Sequence, residues 1–264
     1  MSAWRERLRA GLRRRLYERG YMVQRSPYPV DPEALRRTGQ YYPIDFEPAW
    51  VETIERVAPF SQTSPERLAA VCASTEYIVA RGIPGSFVEC GVWRGGSMMA
   101  AAITLLRLGA ADRPLYLYDT FAGMTRPTEL DRDFAGTPTM DAWARYQRGE
   151  PDPCAVPLHE VRQALLDTGY DPRRLHLVEG PVERTLPSQA PPDIALLRLD
   201  TDWYESTRHE LIHLYPRLTP GGVLIIDDYG HFQGARRATD DYFADAPVLL
   251  SRIDYTGRLA VKPG

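Results

Sequence analysis

The apolar positions change period along the chain. Trp4, Leu8, Leu12 and Leu16 recur every four residues, one stripe of a short N-terminal helix with seven arginines around it. From Arg25 to Pro48 prolines and tyrosines (Pro27, Pro29, Pro32, Tyr41, Tyr42, Pro43) dilute any period, which predicts an irregular arm. Ser64-Pro65-Glu66-Arg67 then reads as a helix start, with Ser at the N-cap and Pro at the first helical position, and the helix extends to about Ala80. Short apolar runs follow, each long enough for one buried strand: Ser86–Gly91, Leu115–Asp119, Leu175–Glu179, Ile194–Asp200 and Val223–Asp228. Helical patterns follow several of them, at Ser97–Leu108, about Glu205–Leu214 and about Gly234–Phe243. Strands alternating with helices predict an α/β fold, a mostly parallel sheet with helices on both faces. Val248–Arg252 and Arg258–Lys262, joined by Asp254-Tyr-Thr-Gly257, add an antiparallel edge hairpin. Ala122–Pro157 breaks the rhythm, with five prolines and no strand signal. A connection of that length in a compact domain predicts a lid-like insertion. The expected division is therefore an N-terminal arm over residues 1–60, serving as lid or dimer contact, and a domain over residues 61–264.

Composition narrows the class. The chain has 264 residues, 44% hydrophobic and 25% charged, with a net charge of −3, an ordinary globular balance that argues against a nucleic-acid partner. No stretch offers 18 consecutive apolar residues, so no membrane span is expected. The first twenty residues lack the apolar core of a secretory signal. With only three widely spaced cysteines (Cys72, Cys90, Cys154), that points to the cytoplasm. The N-terminal stripe suits a second subunit, hence an expected homodimer. Of the 32 basic residues only one is lysine, Lys262, which removes lysine as a general base near the middle of the chain.

Two constellations could carry chemistry. In the first, Glu89-Cys-Gly91-Val-Trp-Arg-Gly95-Gly96-Ser97 joins a strand to a helix, where glycines allow a sharp turn and the helix N-terminus offers free N–H groups. It is neither the dinucleotide fingerprint nor a phosphate loop. Asp119 closes the next strand 24 residues after Gly95, where doubly wound nucleotide folds place the acid that holds a ribose. The pair suggests an adenosine group whose tail carries no phosphate.

The second constellation is acidic. Asp200 and Asp202 end one strand; Asp227 and Asp228 end the next. Strand ends converge on one crevice, where four carboxylates would repel each other without a hard cation, Mg²⁺ first and Mn²⁺ second. The stretch His209-Glu-Leu-Ile-His213 also fits the zinc-protease helix, but Pro216 ends the helix, position 219 is Thr where the extended pattern needs His, and no glutamate follows, so that reading is set aside.

With these motifs assembled, the chain resembles the class I S-adenosylmethionine-dependent methyltransferases, a Rossmann-like fold, and more narrowly the macrocin O-methyltransferase (TylF-type) family. The resemblance rests on Phe87–Ser97, Tyr118–Met124, Leu199–Thr207 and Gly221–Gly230, in order and suitably spaced across roughly residues 50–264. It implies a seven-stranded sheet. It also implies that Glu89, Gly91, Val92, Trp93, Arg94, Gly95 and Ser97 wrap the methionine part of the cofactor and that Thr63 and Ser64 meet its carboxylate. Asp119 would hold the ribose, with Thr120 and Phe121 beside it, and Glu179 and Gly180 would border the adenine. Asp200, Asp227 and Asp228 match the family's metal ligands, and Asp202 its general base.

The function these implications describe is Mg²⁺-dependent methylation of a hydroxyl of a vicinal diol, on a deoxysugar of an antibiotic glycoside. His231 is the fallback base. Two alternatives stay open: a catechol-like phenol as acceptor, and a glycosyltransferase using Asp200-Thr-Asp202 as its metal–nucleotide-sugar motif.

Overall fold

The computed structural model describes residues 42, 43 and 45–264. The chain divides into two compact units, residues 1–46 and 47–264. The N-terminal stripe and the arm through residue 41, with residue 44, lie outside the described residues. Within the second unit, helix α1 (Pro48–Val57) packs on the helices that follow, so this unit begins before the boundary expected at residue 61.

Ser64 caps helix α2 (Pro65–Ala80) as its sequence predicts: the Oγ accepts from the Arg67 N–H at 3.2 Å, and Pro65 sits at the first position. Then come β1 (Ser86–Cys90), α3 (Gly96–Arg107), β2 (Leu115–Asp119), α4 (Met140–Gln147), α5 (Leu158–Leu166), β3 (Leu175–Glu179), the short α6 (Val182–Thr185) and β4 (Ile194–Leu199). Helix α7 (Tyr204–Leu214), β5 (Leu218–Ile226), α8 (Gln233–Tyr242), β6 (Ser251–Arg252) and β7 (Arg258–Val261) complete it.

The seven strands form one sheet in the order β3-β2-β1-β4-β5-β7-β6. The first five are parallel, while β7 and β6 run antiparallel at the edge. This is the Rossmann-like, mostly parallel seven-stranded sheet with an antiparallel edge that the sequence predicts. The switch in strand order lies between β1 and β4, and doubly wound sheets open their ligand crevice at such a point.

Alternation along the central strands sorts the core. Val88 and Cys90 of β1, Leu197 and Leu199 of β4, and Leu224 and Ile226 of β5 share one cluster with Leu211 and Leu214 of α7 and Phe243. Helices α1, α2 and α3 pack together on the other side. The intervening positions on that side include two charged residues, Glu89 and Arg198, which register as direct neighbours across β1 and β4.

The structure differs from the sequence reading in detail. The insertion between β2 and α5 holds a helix, α4, that its prolines conceal. Of the Val248–Arg252 run only Ser251 and Arg252 pair as strand, and Leu249 is 85% exposed.

Candidate active site

A cavity of about 410 Å³ opens at the C-terminal ends of the parallel strands. Its floor is made by three turns, each holding a non-glycine residue at positive φ: Trp93 (49°) after β1, Phe121 (51°) after β2 and Asp202 (67°) after β4. Side chains seldom adopt this backbone, and three at one crevice mark a site over-determined by its surroundings.

The glycine turn and Asp119 form a single unit. Asp119 Oδ2 accepts from the Val92 N–H (2.7 Å) and the Trp93 N–H (3.2 Å), and its Oδ1 accepts from the Phe121 N–H (2.8 Å). Gly91 has no substitute here: a Cβ would lie 1.9 Å from the Asp200 carbonyl oxygen. The β1 turn thus passes directly over the end of β4. Gly91, Val92, Trp93, Ser97, Asp119, Thr120 and Gly180 line the cavity, and so does Thr63 at the entry to α2.

Other expected cofactor residues are placed elsewhere. Ser64 is the α2 cap, and its Oγ donates to Asp254 Oδ2 at 2.7 Å. Arg94 is exposed, with its guanidinium 5.0 Å from the Trp93 ring centre. Gly95 is the N-cap of α3, Phe121 is buried beside the turn, and Glu179 is exposed. Glu183, one turn into α6, lines the cavity instead of Glu179.

Glu89 is 1% exposed and lies beneath the cavity, paired with Arg198, which the sequence reading missed. Arg198 Nη1 donates to Glu89 Oε1 at 2.7 Å and to Asp200 Oδ2 at 2.8 Å, and Nη2 donates to Asp227 Oδ1. Arg67 holds the other Asp227 oxygen and also reaches Asp254 Oδ2 at 3.0 Å. Asp227 therefore lines the cavity with both oxygens engaged by guanidiniums.

The remaining three aspartates face one another. Asp200, Asp202 and Asp228 each offer an oxygen within 4.8 Å of the others. The Asp202 N–H donates to Asp228 Oδ2 at 3.2 Å. Burial first, and a neighbouring aspartate's charge second (Asp200 for Asp202, Asp202 for Asp228), pushes Asp202 up to about 8 and Asp228 well above the carboxylate range. Burial likewise pushes Asp200 up to about 6, although Arg198 opposes it. Such an all-oxygen cluster with excess negative charge has the donor chemistry of a hard divalent cation.

His231 also borders the cavity. Its Nδ1 lies 3.0 Å from the Tyr255 hydroxyl, and burial lowers its pKa, which favours the neutral imidazole.

The insertion over residues 122–157 is tied down across the crevice. Buried Asp131 accepts from the Tyr204 N–H at 2.7 Å, capping α7 from outside the helix. Gly234 makes room for that contact, since a Cβ there would sit 2.1 Å from Asp131 Oδ1. Trp203 Nε1 donates to the Thr125 carbonyl (3.1 Å) and Trp93 Nε1 to the Pro153 carbonyl (2.9 Å). Met124, Thr125 and Cys154 of this segment line the cavity.

The His209–His213 stretch is not assembled as a metal site. His209 Nε2 meets the Leu186 carbonyl at 3.3 Å, and Glu210 is turned into the core.

Comparison with known proteins settles the family. Residues 54–260 match the model of the macrocin-O-methyltransferase (TylF) family. The chain belongs to this family. It is therefore a methyltransferase, and family membership implies S-adenosylmethionine as the donor.

Among curated relatives, the tetracenomycin-C 4'-O-methyltransferase of Streptomyces olivaceus, which acts on a 2,3-dimethoxy-α-L-rhamnosyl derivative, is 36% identical over 194 residues, covering 73% of this chain and 71% of the relative. Mycinamicin III 3''-O-methyltransferase of Micromonospora griseorubida is 32% identical over 178 residues, covering 67% of each chain. The solved structure of the O-methyltransferase NovP superposes with a TM-score of 0.69 at 27% identity, covering 88% of both chains. Among the described residues no helix is long and apolar enough to cross a membrane.

Proposed function

We propose that this methyltransferase is cation-dependent and methylates one hydroxyl of a vicinal diol on a deoxysugar of a glycosylated natural product. The observation that carries the reading is the meeting, in one cavity, of the Gly91–Ser97 turn with Asp119 on one side and the Asp200, Asp202, Asp228 cluster on the other. The Streptomyces olivaceus relative is named for a rhamnosyl-bearing tetracenomycin substrate, which supports the acceptor class.

When bound, S-adenosylmethionine presents an electrophilic methyl on a sulfonium, and a divalent cation lowers the pKa of a hydroxyl held against it. This chain's residues position and deprotonate. The turn around Gly91 and Ser97 and the Thr63 entry hold the methionine end. Asp119 holds the ribose, and Gly180 with Glu183 borders the adenine. Methyl transfer is an in-line displacement, so placing the acceptor oxygen against the methyl accounts for much of the acceleration. The cation would rest on Asp200 and Asp228, completed by Asp227. Asp202 takes the acceptor proton; a carboxylate beside a cation is a weak base, so the cation would supply most of the activation.

One observation favours a second assignment. Asp227 is held by Arg67 and Arg198, whereas Asp202 lies within the close cluster. In that assignment Asp202 is the third ligand and His231 is the base.

Calorimetric titration of S-adenosylhomocysteine with Mg²⁺, and again with EDTA, tests the cofactor side of the reading. Micromolar binding in both supports it, and absence of binding in both refutes it. Mn²⁺ titration of Asp202→Asn and Asp227→Asn separates the assignments, since the true third ligand is the one whose loss weakens the cation.

A further inference from the structure

Glu210 is the most buried acidic side chain of α7, and the mechanism above does not use it. It sits at 0% exposure on the face that carries Leu211 and Leu214 into the core. Among the described residues no cation pairs with it, and its Oε2 has no hydrogen-bond partner. Burial pushes its pKa well above the carboxylate range. A core position that would accept leucine instead holds a group that is costly to bury, which calls for a use.

Two side chains face Glu210, the buried Cys90 thiol and the Thr201 hydroxyl, and the second is informative. The Thr201 hydroxyl donates to Glu210 Oε1 at 2.9 Å, a link from the middle of α7 back past the helix start to the turn before it. Thr201 stands between Asp200 and Asp202. Its carbonyl accepts from the Trp203 N–H at 2.7 Å, closing a three-residue turn with Asp202 at its centre and φ at 67°. Turns of that sense are rare and strained, and persist only when neighbours hold them. On the cavity side the turn is met by Asp228 through the Asp202 N–H. On the core side two side chains reach Thr201: Glu210 accepts from its hydroxyl, and the Ser206 hydroxyl donates to its carbonyl at the longer distance of 3.3 Å.

We infer that Glu210 is a positioning residue: its carboxyl grips Thr201 from beneath the site and so fixes the turn that presents Asp200 and Asp202 to the cavity. The inference rests on the proposed role of these two aspartates, and its test reads the turn separately from that role.

Amide hydrogen exchange at Trp203, followed by NMR in the apo full-length protein, reports the turn with no ligand present. Thr201→Val and Glu210→Ala are expected to speed that exchange by roughly tenfold, about what losing one buried hydrogen bond amounts to. Glu210→Gln, whose amide oxygen still accepts from Thr201, is expected to return most of the protection. Exchange in the last turn of α7 should stay at the parent rate in Thr201→Val. Mn²⁺ affinity, measured by calorimetry with S-adenosylhomocysteine bound, should fall severalfold in the same two variants, while S-adenosylhomocysteine affinity holds.

Parent-like exchange at Trp203 in Thr201→Val overturns the inference. So does exchange in Glu210→Gln as fast as in Glu210→Ala. Accelerated exchange with unchanged Mn²⁺ affinity overturns its functional half. Should Glu210→Ala fail to fold, Thr201→Val decides alone. If the parent itself binds no Mn²⁺, the cation-dependent reading fails, and the exchange data still judge Glu210.

Discussion

Arg198 offers the sharpest test of how the site is held together. Its guanidinium is 3% exposed and serves three carboxylates, those of Glu89, Asp200 and Asp227. Arg198→Met keeps an unbranched apolar stem of similar reach while deleting every one of these contacts. Removing one partner of a buried ion pair costs about 3–5 kcal/mol, because the other charge is left in a dry environment. The low end applies here: Arg67 still holds Asp227, and Glu89, already pushed up to about 8 by burial, can take a proton instead of staying charged. A loss near 3 kcal/mol corresponds to a Tm drop of roughly 6–12 °C for a domain of this size. Urea unfolding followed by circular dichroism at pH 7 measures it directly. Adding Glu89→Leu should return part of the loss, since an apolar replacement removes the orphaned carboxyl. A Tm within 2 °C of the parent for Arg198→Met would refute the view that this buried pairing organises the crevice.

Two further outcomes follow from the same geometry. Gly91→Ala combines a positive φ of 80° with a Cβ 1.9 Å from the Asp200 carbonyl oxygen, so the β1 turn and the end of β4 must separate. S-adenosylhomocysteine affinity measured by calorimetry should fall by at least about tenfold, a strain of 1–2 kcal/mol, and retained affinity would sink the idea that this crossing shapes the cofactor side. The second outcome concerns pH. In EDTA, Asp202 and Glu89 titrate near 8 and Asp200 near 6, all above their ordinary values. Each binds more protons folded than unfolded, so its stabilising contribution is complete below about pH 4 and is lost as pH rises to 8. Tm in EDTA should therefore fall between pH 6 and pH 8, and Mg²⁺ should flatten that slope. A rising Tm in EDTA across that interval contradicts the crowding of these carboxylates.

The main framework was legible in the sequence because it follows from local rules. Five apolar runs predict five parallel strands, and each is found; Ser64-Pro65 predicts a cap, and the Ser64 oxygen accepts from Arg67 as expected. The glycine turn and Asp119 were readable as a pair because a residue at a strand end can only face the crevice. One clue was present and passed over. Arg198 and Glu89 each interrupt a run of buried aliphatics, and a charge in such a strand implies a partner at the neighbouring register position.

What no local rule supplies is which groups meet across elements. That four aspartates gather at adjacent strand ends was readable from the order of apolar runs alone. Only the packing of α2 against the sheet brought Arg67 to Asp227, leaving Asp200, Asp202 and Asp228 as the close cluster. The His-Glu-x-x-His match was likewise decided by helix rotation, which turned Glu210 into the core toward Thr201. The insertion over 122–157 was legible only as an irregular segment, because its order comes from Asp131, Trp203 and Trp93 bonding across elements distant in sequence. Periodicity, caps and turns are short-range and so are written in neighbouring residues. Charge pairing in the crevice depends on strand register and helix packing, which exist only once the chain is folded.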